Sequence, residues 1–342
     1  MGSELETENQ IHLLSAGGQH DDERLMDGFF TPDQEDSGAR HSRLNLVALG
    51  NSSDGSLRMP AGTASGIGGA RTSRRNGRNR LPRMLLEGKK LLITGVLTPQ
   101  SIAFEVARIA QQEGAEIALT NFGKARALAQ RTARRLPHPV DVLEMNANDP
   151  SQIKAVAHEL EKRWGHLDGF LHAIAYAPPD SLGGAFMETP WDSVAVAIQT
   201  SAYSLKGLAE GMLPLMKEAG GSIVSLDFDA SVAWPIYDWM GVSKAGLEAV
   251  SRYLARYLGE HDIRVNCVAA GPIRTMAGKS IPGFNDLAQA WSKRAPLGWN
   301  TGNAEPVGRA ACYLLSDWSR GVTGEILHVD GGYHAMGANL HS

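Results

Sequence analysis

The feature that most constrains the fold is an alternation, from residue 84 onward, of short apolar runs with stretches of helical periodicity. The apolar runs predict seven strands, at residues 90–94, 116–120, 142–145, 168–174, 222–227, 264–269 and 325–329. The periodic stretches predict helices at residues 101–113, 124–135, 151–164, 191–218, 235–259 and 306–315. Apolar strands separated by helices are typical of a parallel sheet covered on both faces.

This rhythm predicts an α/β fold of three layers, a Rossmann-type doubly wound parallel sheet of about seven strands. Residues 84–342 suffice for a single domain with a large core, although a chain of 342 residues could hold two domains. In such sheets ligands bind at the carboxyl ends of the strands, near the point where the strand order reverses.

The first 83 residues have a different composition, rich in Gly, Ser, Asn and Arg. Ten acidic residues and one Arg fall in residues 1–36, whereas nine Arg and one Asp fall in residues 37–83. We interpret residues 1–83 as a disordered, low-complexity extension, because such a segment buries too little apolar surface to offset its ordering entropy. A transit peptide would not open with an acidic block. A nucleic-acid contact by the arginines and a true start at Met84 both remain open.

Composition favours a cytoplasmic protein with no membrane or nucleic-acid partner. The formal net charge is only −4, and no apolar run approaches the roughly 20 residues that a bilayer span needs. The N terminus lacks the layout of a secretory signal. Cys267 and Cys312 fit two buried thiols in a reducing compartment better than a disulfide.

The turn after the first predicted strand carries a candidate phosphate-binding motif. Only Gly95 stands where the usual dinucleotide fingerprint has three glycines. Gly95 permits a sharp exit from the strand, and Ser101 could cap the next helix and offer its hydroxyl to a phosphate. The N–H groups at the start of that helix would then face the anion. This turn alone leaves a structural and a functional interpretation open.

Further motifs follow the turn: Leu226-Asp227-Phe228-Asp229, Tyr237 with Lys244, Ala270-Gly271-Pro272-Ile273-Arg274-Thr275, Arg294 to Asn300, and Asp330-Gly331-Gly332. With the spacing from Gly95 to Ser101, they resemble the enoyl-acyl-carrier-protein reductases, a divergent branch of the short-chain dehydrogenase/reductase superfamily. The resemblance covers residues 84–342 and none of 1–83. It is nearest to the actinobacterial and mycobacterial type, given Phe228 and the Gly-Trp-Asn sequence ending at Asn300.

The spacing between Tyr237 and Lys244 is the most specific signal. Ordinary short-chain reductases place Lys four residues after Tyr, where this chain has Gly241, whereas enoyl reductases place it seven residues after Tyr. Both spacings return a side chain to nearly the same helix face. The resemblance implies that Tyr237 donates to the thioester oxygen as an enolate develops and that Lys244 binds the nicotinamide ribose. It implies that Phe228 is a pocket wall that orients the thioester. The proton for the α-carbon could come from Tyr237 or from water.

The resemblance also implies NADH as cofactor and a set of contacts to it. Phe122 would stack on adenine and Asn146 would bond to the adenine amine. The second predicted strand ends without an acid, so Lys124 or Arg126 could meet a 2′-phosphate, and NADPH stays as the less favoured alternative. The histidines are scattered, so no metal is expected. The predicted cofactor contacts are Gly95, Ser101, Ile102, Phe122, Asn146, Ala147, Ile174, Ala175, Lys244, Ile273 and Thr275.

The implied substrate is an enoyl-acyl carrier protein, and the implied assembly is a homotetramer with the helices at 191–218 and 235–259 as interface elements. The substrate loop, residues 276–293, is short and favours ordinary over very long acyl chains. Its apolar residues are suited to an acyl chain or to helix packing: Met276, Ile281, Phe284 and Leu287. Lys279, Lys293 and Arg294 are candidate docking charges for the acidic carrier.

Two rival functions remain. A carbonyl or alcohol dehydrogenase of the wider superfamily is disfavoured because the Tyr-x-x-x-Lys pattern is missing. A non-catalytic dinucleotide sensor is disfavoured because it would need neither Tyr237 nor Lys244.

Overall fold

The computed structural model describes residues 84–337, so the predicted extension at 1–83 lies outside the described residues. The described part is a parallel seven-stranded sheet of order β3-β2-β1-β4-β5-β6-β7, which confirms the predicted fold class. The strands are β1 (Lys90–Thr94), β2 (Glu116–Asn121), β3 (Val142–Glu144), β4 (Gly169–His172), β5 (Gly221–Asp227), β6 (Ile263–Ala270) and β7 (Ile326–Val329).

Helices cover both faces of the sheet because its inner strands are apolar on both sides. In β1, Leu91 and Ile93 belong to one buried cluster and Leu92 to the other, as the alternation of side chains along a strand requires. The helices are α1 (Ile102–Gln112), α2 (Gly123–Ala133), α3 (Pro150–Trp164), α4 (Trp191–Ile198), α5 (Ser204–Met216), α6 (Asp238–Leu258), α7 (Met276–Lys279), α8 (Phe284–Arg294) and α9 (Glu305–Leu315).

Two predicted helices differ from the structure. The helix expected at 191–218 is interrupted by one π-helical turn, Gln199–Tyr203, between α4 and α5. The helix expected from residue 235 begins only at Asp238, because residues 235–237 form a turn in which Ile236 has a φ of 61°. The predicted substrate loop also contains two helices, α7 and α8.

The strand order reverses between β1 and β4: β2 and β3 lie beyond β1 on one side, and β5, β6 and β7 lie beyond β4 on the other. Gly95 follows β1 there with a φ of 78°, and a Cβ at this position would lie 2.0 Å from the carbonyl oxygen of Ala173. The two strand ends are therefore in direct backbone contact at the place where a doubly wound sheet binds ligands.

Both cysteines are free and buried, Cys267 in β6 and Cys312 in α9, as the thiol interpretation predicts. None of the helices within residues 84–337 has the length and apolar character needed to cross a membrane.

Candidate active site

The predicted phosphate-binding turn leads into α1 at the carboxyl edge of the sheet. Ser101 occupies the residue before the helix, but its hydroxyl donates to the carbonyl of Thr98 at 2.7 Å and accepts no bond from a helical N–H. The predicted capping role of this side chain is therefore wrong, and the hydroxyl stabilises the turn instead. The backbone N–H groups at the start of α1 remain suited to an anion.

The loop after β4 is held by the π turn. The Ser201 hydroxyl accepts from the backbone N–H of Tyr176 and donates to its carbonyl oxygen, both at 2.9 Å. This double contact fixes the backbone next to Ile174, which is half-buried, and Ala175, which is exposed. Strand β4 ends two residues before Ile174, earlier than predicted, so both residues belong to this loop.

The adenine end of the predicted cofactor groove lies beyond β2. The Phe122 ring is 42% exposed. The Asn121 side-chain oxygen accepts from the Phe122 N–H at 2.9 Å, and its amide nitrogen donates to the Val96 carbonyl at 3.1 Å. Asn146 is half-buried beyond the neighbouring β3, where its amide oxygen accepts from the N–H of Asn148 at 3.0 Å, and Ala147 beside it is buried.

Sequence reasoning missed an acid at this end of the groove. The Glu144 carboxylate accepts from the Gly123 N–H at 2.8 Å and lies 3.5 Å from the Arg126 guanidinium. Glu144 is the last residue of β3, so it reaches the end of β2 through sheet pairing rather than through sequence proximity. Arg126, a candidate for a 2′-phosphate, is thus already paired with a carboxylate.

Tyr237 and Lys244 lie at the start of α6 and two turns into it, and both are buried, with exposures of 8% and 6%. The Lys244 ammonium donates to the Leu226 carbonyl at 2.8 Å, which leaves two further donors for a ligand. Burial and the negative charge of Asp227 raise the pKa of Tyr237, so its phenol stays protonated at neutral pH. The two side chains that the sequence paired are therefore both buried and both within electrostatic reach of Asp227.

Asp227, at the end of β5, is a second ionisable group to which the sequence analysis, although it named the motif around it, gave no role. Within residues 84–337 neither of its carboxylate oxygens has a hydrogen-bond partner, and one lies 4.0 Å from the Lys244 ammonium. Burial raises the pKa of Asp227 to about 7, against the opposing effect of Lys244. An acid at the end of a buried strand was the signal that could have identified it.

An aromatic cluster meets Tyr237 through the Phe228 ring. The Phe228 ring meets the Tyr237 ring edge-on at 5.1 Å between centroids and also packs against Trp234 and Trp291. Trp291 belongs to α8 and stacks on Tyr333 at 3.8 Å. Residues of the substrate-loop region therefore pack directly against the wall formed by Phe228.

The apolar residues of the substrate loop divide into two groups. Phe284 is buried and Leu287 packs against the aromatic cluster, as helix packing predicts, whereas Met276 is half exposed. Ile273 is buried just before the loop, and the Thr275 hydroxyl accepts from the N–H of Gly278 at 2.9 Å at the start of α7.

Of the three candidate docking charges, Lys279 and Lys293 are exposed, but Arg294 is not free. Its guanidinium lies 4.6 Å from the Tyr333 ring and donates to the Met336 carbonyl oxygen. This side chain therefore anchors the C-terminal segment, and its role as a docking charge stays a prediction.

His172 ends β4, within electrostatic reach of Lys244, and is completely buried. Its ring nitrogens contact the hydroxyls of Ser225 at 2.9 Å and Ser204 at 2.8 Å. Burial, assisted by the charge of Lys244, lowers its pKa to about 3, so the ring is neutral at physiological pH. The described residues include no group of three or more His, Cys, Asp or Glu arranged to hold a metal ion.

A doubly wound sheet with a buried Tyr–Lys pair beside its switch point is typical of the short-chain dehydrogenase/reductase class. The sequence model for enoyl-(acyl carrier protein) reductase matches residues 95–334. A protein of Mycolicibacterium smegmatis named enoyl-acyl-carrier-protein reductase (NADH) is 41% identical over 262 residues, covering 72% of this chain and 97% of that protein. The chain belongs to the enoyl-acyl-carrier-protein reductase family.

Two further relatives bear the same name. The protein of Mycobacterium avium is 41% identical over 261 residues, which covers 72% of this chain and 97% of the relative. The protein of Aquifex aeolicus is 40% identical over 255 residues, with 74% and 94% coverage. The similarity thus extends beyond the mycobacterial type.

Proposed function

We propose that the protein uses NADH to reduce the trans-2 double bond of enoyl thioesters carried on acyl carrier protein, the last step of the fatty-acid elongation cycle. The observation that carries this proposal is the buried pair of Tyr237 and Lys244, seven residues apart on α6 and beside the switch point. A member of this family with that pair intact has the donor and the cation that the reaction needs.

The groove fits a dinucleotide. Gly95 lets the chain turn sharply out of β1 beside the Ala173 carbonyl, which any Cβ at this position would meet, and α1 directs its N terminus to the same edge. The exposed Phe122 ring offers a stacking surface for adenine, and Lys244 retains donors for ribose hydroxyls. Ser101, Ile102, Asn146, Ala147, Ile174, Ala175, Ile273 and Thr275 complete the proposed contacts.

NADH is favoured over NADPH by the charges around β2. Glu144 lies at the groove end and pairs with Arg126, so a 2′-phosphate would meet a carboxylate and find one of its two candidate cations already paired. The hydride for the β-carbon comes from NADH when it is bound.

The remaining chemistry belongs to side chains of the chain itself. Negative charge develops on the thioester oxygen during reduction, and a hydrogen-bond donor held there stabilises it. The Tyr237 hydroxyl is such a donor, since its raised pKa keeps the proton on the oxygen. The Lys244 ammonium stabilises the same charge at longer range, and Phe228 limits the positions that the thioester can occupy.

We further propose a cytoplasmic homotetramer, with residues 84–342 as the catalytic domain and 1–83 as an extension dispensable for chemistry. Large apolar side chains are exposed on the helical face formed by α4, the π turn and α6, and a second copy of the chain would cover them. The most exposed are Trp191, Tyr203, Tyr253 and Tyr257. Two free buried thiols fit a reducing compartment.

The test is the oxidation of NADH, followed by its absorbance, with a trans-2-enoyl thioester and with a β-ketoacyl thioester. We expect turnover only with the enoyl substrate and a large loss of kcat in Tyr237→Phe, because the donor is removed. Tyr253→Phe, an exposed tyrosine on the same helix, is the matched control and should retain full activity.

Other outcomes would favour the rival functions. Turnover of the β-ketoacyl thioester alone would indicate a carbonyl reductase. Tight NADH binding without any turnover would indicate a dinucleotide sensor. A chain that starts at Met84 and matches the full chain in rate would support a dispensable extension.

A further inference from the structure

The turn that carries Tyr237 is strained on both sides of the tyrosine. Ile236 has a φ of 61° and Asp238 a φ of 42°, in the left-handed region that residues other than glycine rarely adopt. A β-branched residue in that region is especially unfavourable. Because neighbouring dihedral angles set the direction of the Tyr237 side chain, the site depends on whatever prevents this turn from relaxing.

Residues 183–186, which we name the brace, hold the turn from one side. The Gly183 N–H donates to the Ile236 carbonyl at 2.9 Å, and the Gly184 N–H donates to the Asp238 carboxylate at 2.6 Å. Both glycines have positive φ, at 91° and 98°, which points to a loop shaped for these contacts. The brace thus bonds to the residue before Tyr237 and to the residue after it.

The brace is itself attached to the first turn of α6. The Trp239 indole N–H donates to the Phe186 carbonyl at 3.0 Å, and the two rings stack at 4.6 Å between centroids with an interplanar angle of 11°. The two segments are over fifty residues apart in sequence. These contacts therefore bind the brace to the helix independently of the strained residues.

The other side of the turn meets the substrate loop. A Cβ placed on Gly283, the residue before α8, would lie 2.3 Å from the Cδ1 atom of Ile236. Gly283 therefore provides the space that the Ile236 side chain fills. The strained turn is packed between the brace and the loop.

We propose that Asp238 is a positioning residue for Tyr237, because its carboxylate anchors the strained turn to the brace through the Gly184 N–H. Strained backbone persists only where the surroundings over-determine it. The Gly184 bond is made by the Asp238 side chain, whereas the Gly183 bond is made by backbone atoms of Ile236, so substitution can remove the Gly184 bond selectively. This inference rests on the proposed role of Tyr237 in enoyl reduction.

Three substitutions separate the hydrogen bond from the backbone strain. Asp238→Asn keeps an acceptor and tolerates the left-handed region, Asp238→Gly removes the acceptor but relieves the strain, and Asp238→Ala removes the acceptor and increases the strain. Asp180→Ala is the matched control, since the Asp180 carboxylate accepts from the Ser193 hydroxyl at 2.8 Å rather than from an N–H of the brace.

We expect kcat for enoyl reduction to fall about tenfold or more in the Ala and Gly variants, because a small misplacement of a catalytic group is costly. The dissociation constant of NADH should stay within about twofold of wild type in all variants, since the cofactor contacts are untouched. Asp238→Asn and Asp180→Ala should retain wild-type kcat. A Gly variant with wild-type kcat, or an Asn variant as slow as Ala, would overturn the proposal.

Hydrogen–deuterium exchange of the protein without cofactor gives a readout that does not depend on activity. Amides of residues 183–186 should exchange faster in the Ala and Gly variants and at the wild-type rate in Asp238→Asn. Unchanged exchange in Asp238→Ala would also overturn the proposal. A wild-type protein that does not reduce enoyl thioesters, or a fully active Tyr237→Phe variant, would instead refute the proposed function, while exchange would still report on the brace.

Discussion

The Lys244 ammonium lies 4.0 Å from one carboxylate oxygen of Asp227 and 2.8 Å from the Leu226 carbonyl, so the lysine is bonded to the backbone and only approached by the acid. A buried carboxylate without hydrogen bonds is costly when charged, which explains why burial raises the pKa of Asp227 to about 7. The same burial lowers the pKa of Lys244, and the charge of Asp227 opposes that effect. Each group thus controls the charge of the other.

This relationship predicts the pH dependence of cofactor binding. In Asp227→Asn the pKa of Lys244 should fall further, because the opposing charge is gone while burial remains. The weakening of NADH binding at alkaline pH should therefore begin at lower pH in the variant than in wild type. Titration of NADH fluorescence from roughly pH 6 to 10 measures this shift. Asp229→Asn removes a neighbouring carboxylate, which lies 3.6 Å from His328, and should keep the wild-type pH profile of NADH binding. Identical profiles for wild type and Asp227→Asn would contradict the coupling.

Gly95→Ala should weaken NADH binding and lower the free energy of unfolding, since the new Cβ would lie 2.0 Å from the Ala173 carbonyl oxygen. Gly123→Ala is a matched control, because Gly123 also has positive φ, at 55°, but nothing lies within 4 Å of the added atom. The control should lose only about 1 kcal/mol from backbone strain. Urea unfolding and NADH titration of both variants separate the effect of the clash with Ala173 from the effect of the positive φ. Equal losses of NADH affinity and unfolding free energy in the two variants would contradict the idea that the Ala173 carbonyl is the reason for glycine at residue 95.

The buried His172 should make the free energy of unfolding fall at acidic pH. Its pKa is 6.5 when unfolded and about 3 in the fold, so below pH 6.5 the unfolded chain takes up a proton that the folded protein does not. Its stabilising contribution is complete above pH 6.5 and falls by about 1.4 kcal/mol per pH unit as the pH drops. His172→Asn should lower stability at pH 7 by removing hydrogen bonds, yet show a shallower decline toward pH 4.5.

Urea unfolding at several pH values measures these slopes. His158→Asn, at an exposed position, should keep the wild-type slope. A wild-type slope in His172→Asn would mean that the buried ring does not contribute to acid unfolding.

Both cysteines should be inert in the native protein. Burial raises the pKa of Cys267 and of Cys312 to about 12, so neither forms thiolate at neutral pH. A chromogenic disulfide reagent should therefore react with no thiol in the native state and with both after denaturation. Rapid labelling of the native protein would show that one of the thiols is accessible.

The sequence predicted the strands well because the sheet is apolar on both faces. Strand β1 spans Lys90–Thr94 as predicted, and the buried strands around it allowed few alternatives. The start of α6 was predicted three residues too early because Pro235 suits a first helical turn. Nothing local to residues 235–238 reveals that Ile236 is held in a left-handed conformation by contacts from the brace.

The candidate site divides in the same way. Tyr237 and Lys244 could be paired from their spacing along one helix. The contact of Glu144 with Gly123 depends on strand pairing. The contact of Arg294 with the Tyr333 ring depends on the path of the chain after β7. Such relationships arise from tertiary structure, so local periodicity does not encode them.

The π turn at Gln199–Tyr203 has a consequence for how the protein tolerates change in length. Such a turn holds one residue more than a regular helical turn. The side chains of α4 are therefore rotated by about 100° around the helix axis relative to an uninterrupted helix. Deleting one residue there would restore a regular helix, but it would turn the exposed Trp191 and Val196 toward a new direction. It would also separate Ser201 from Tyr176. We expect single-residue deletions to be tolerated less within this turn than in the exposed loop at residues 137–141 between α2 and β3.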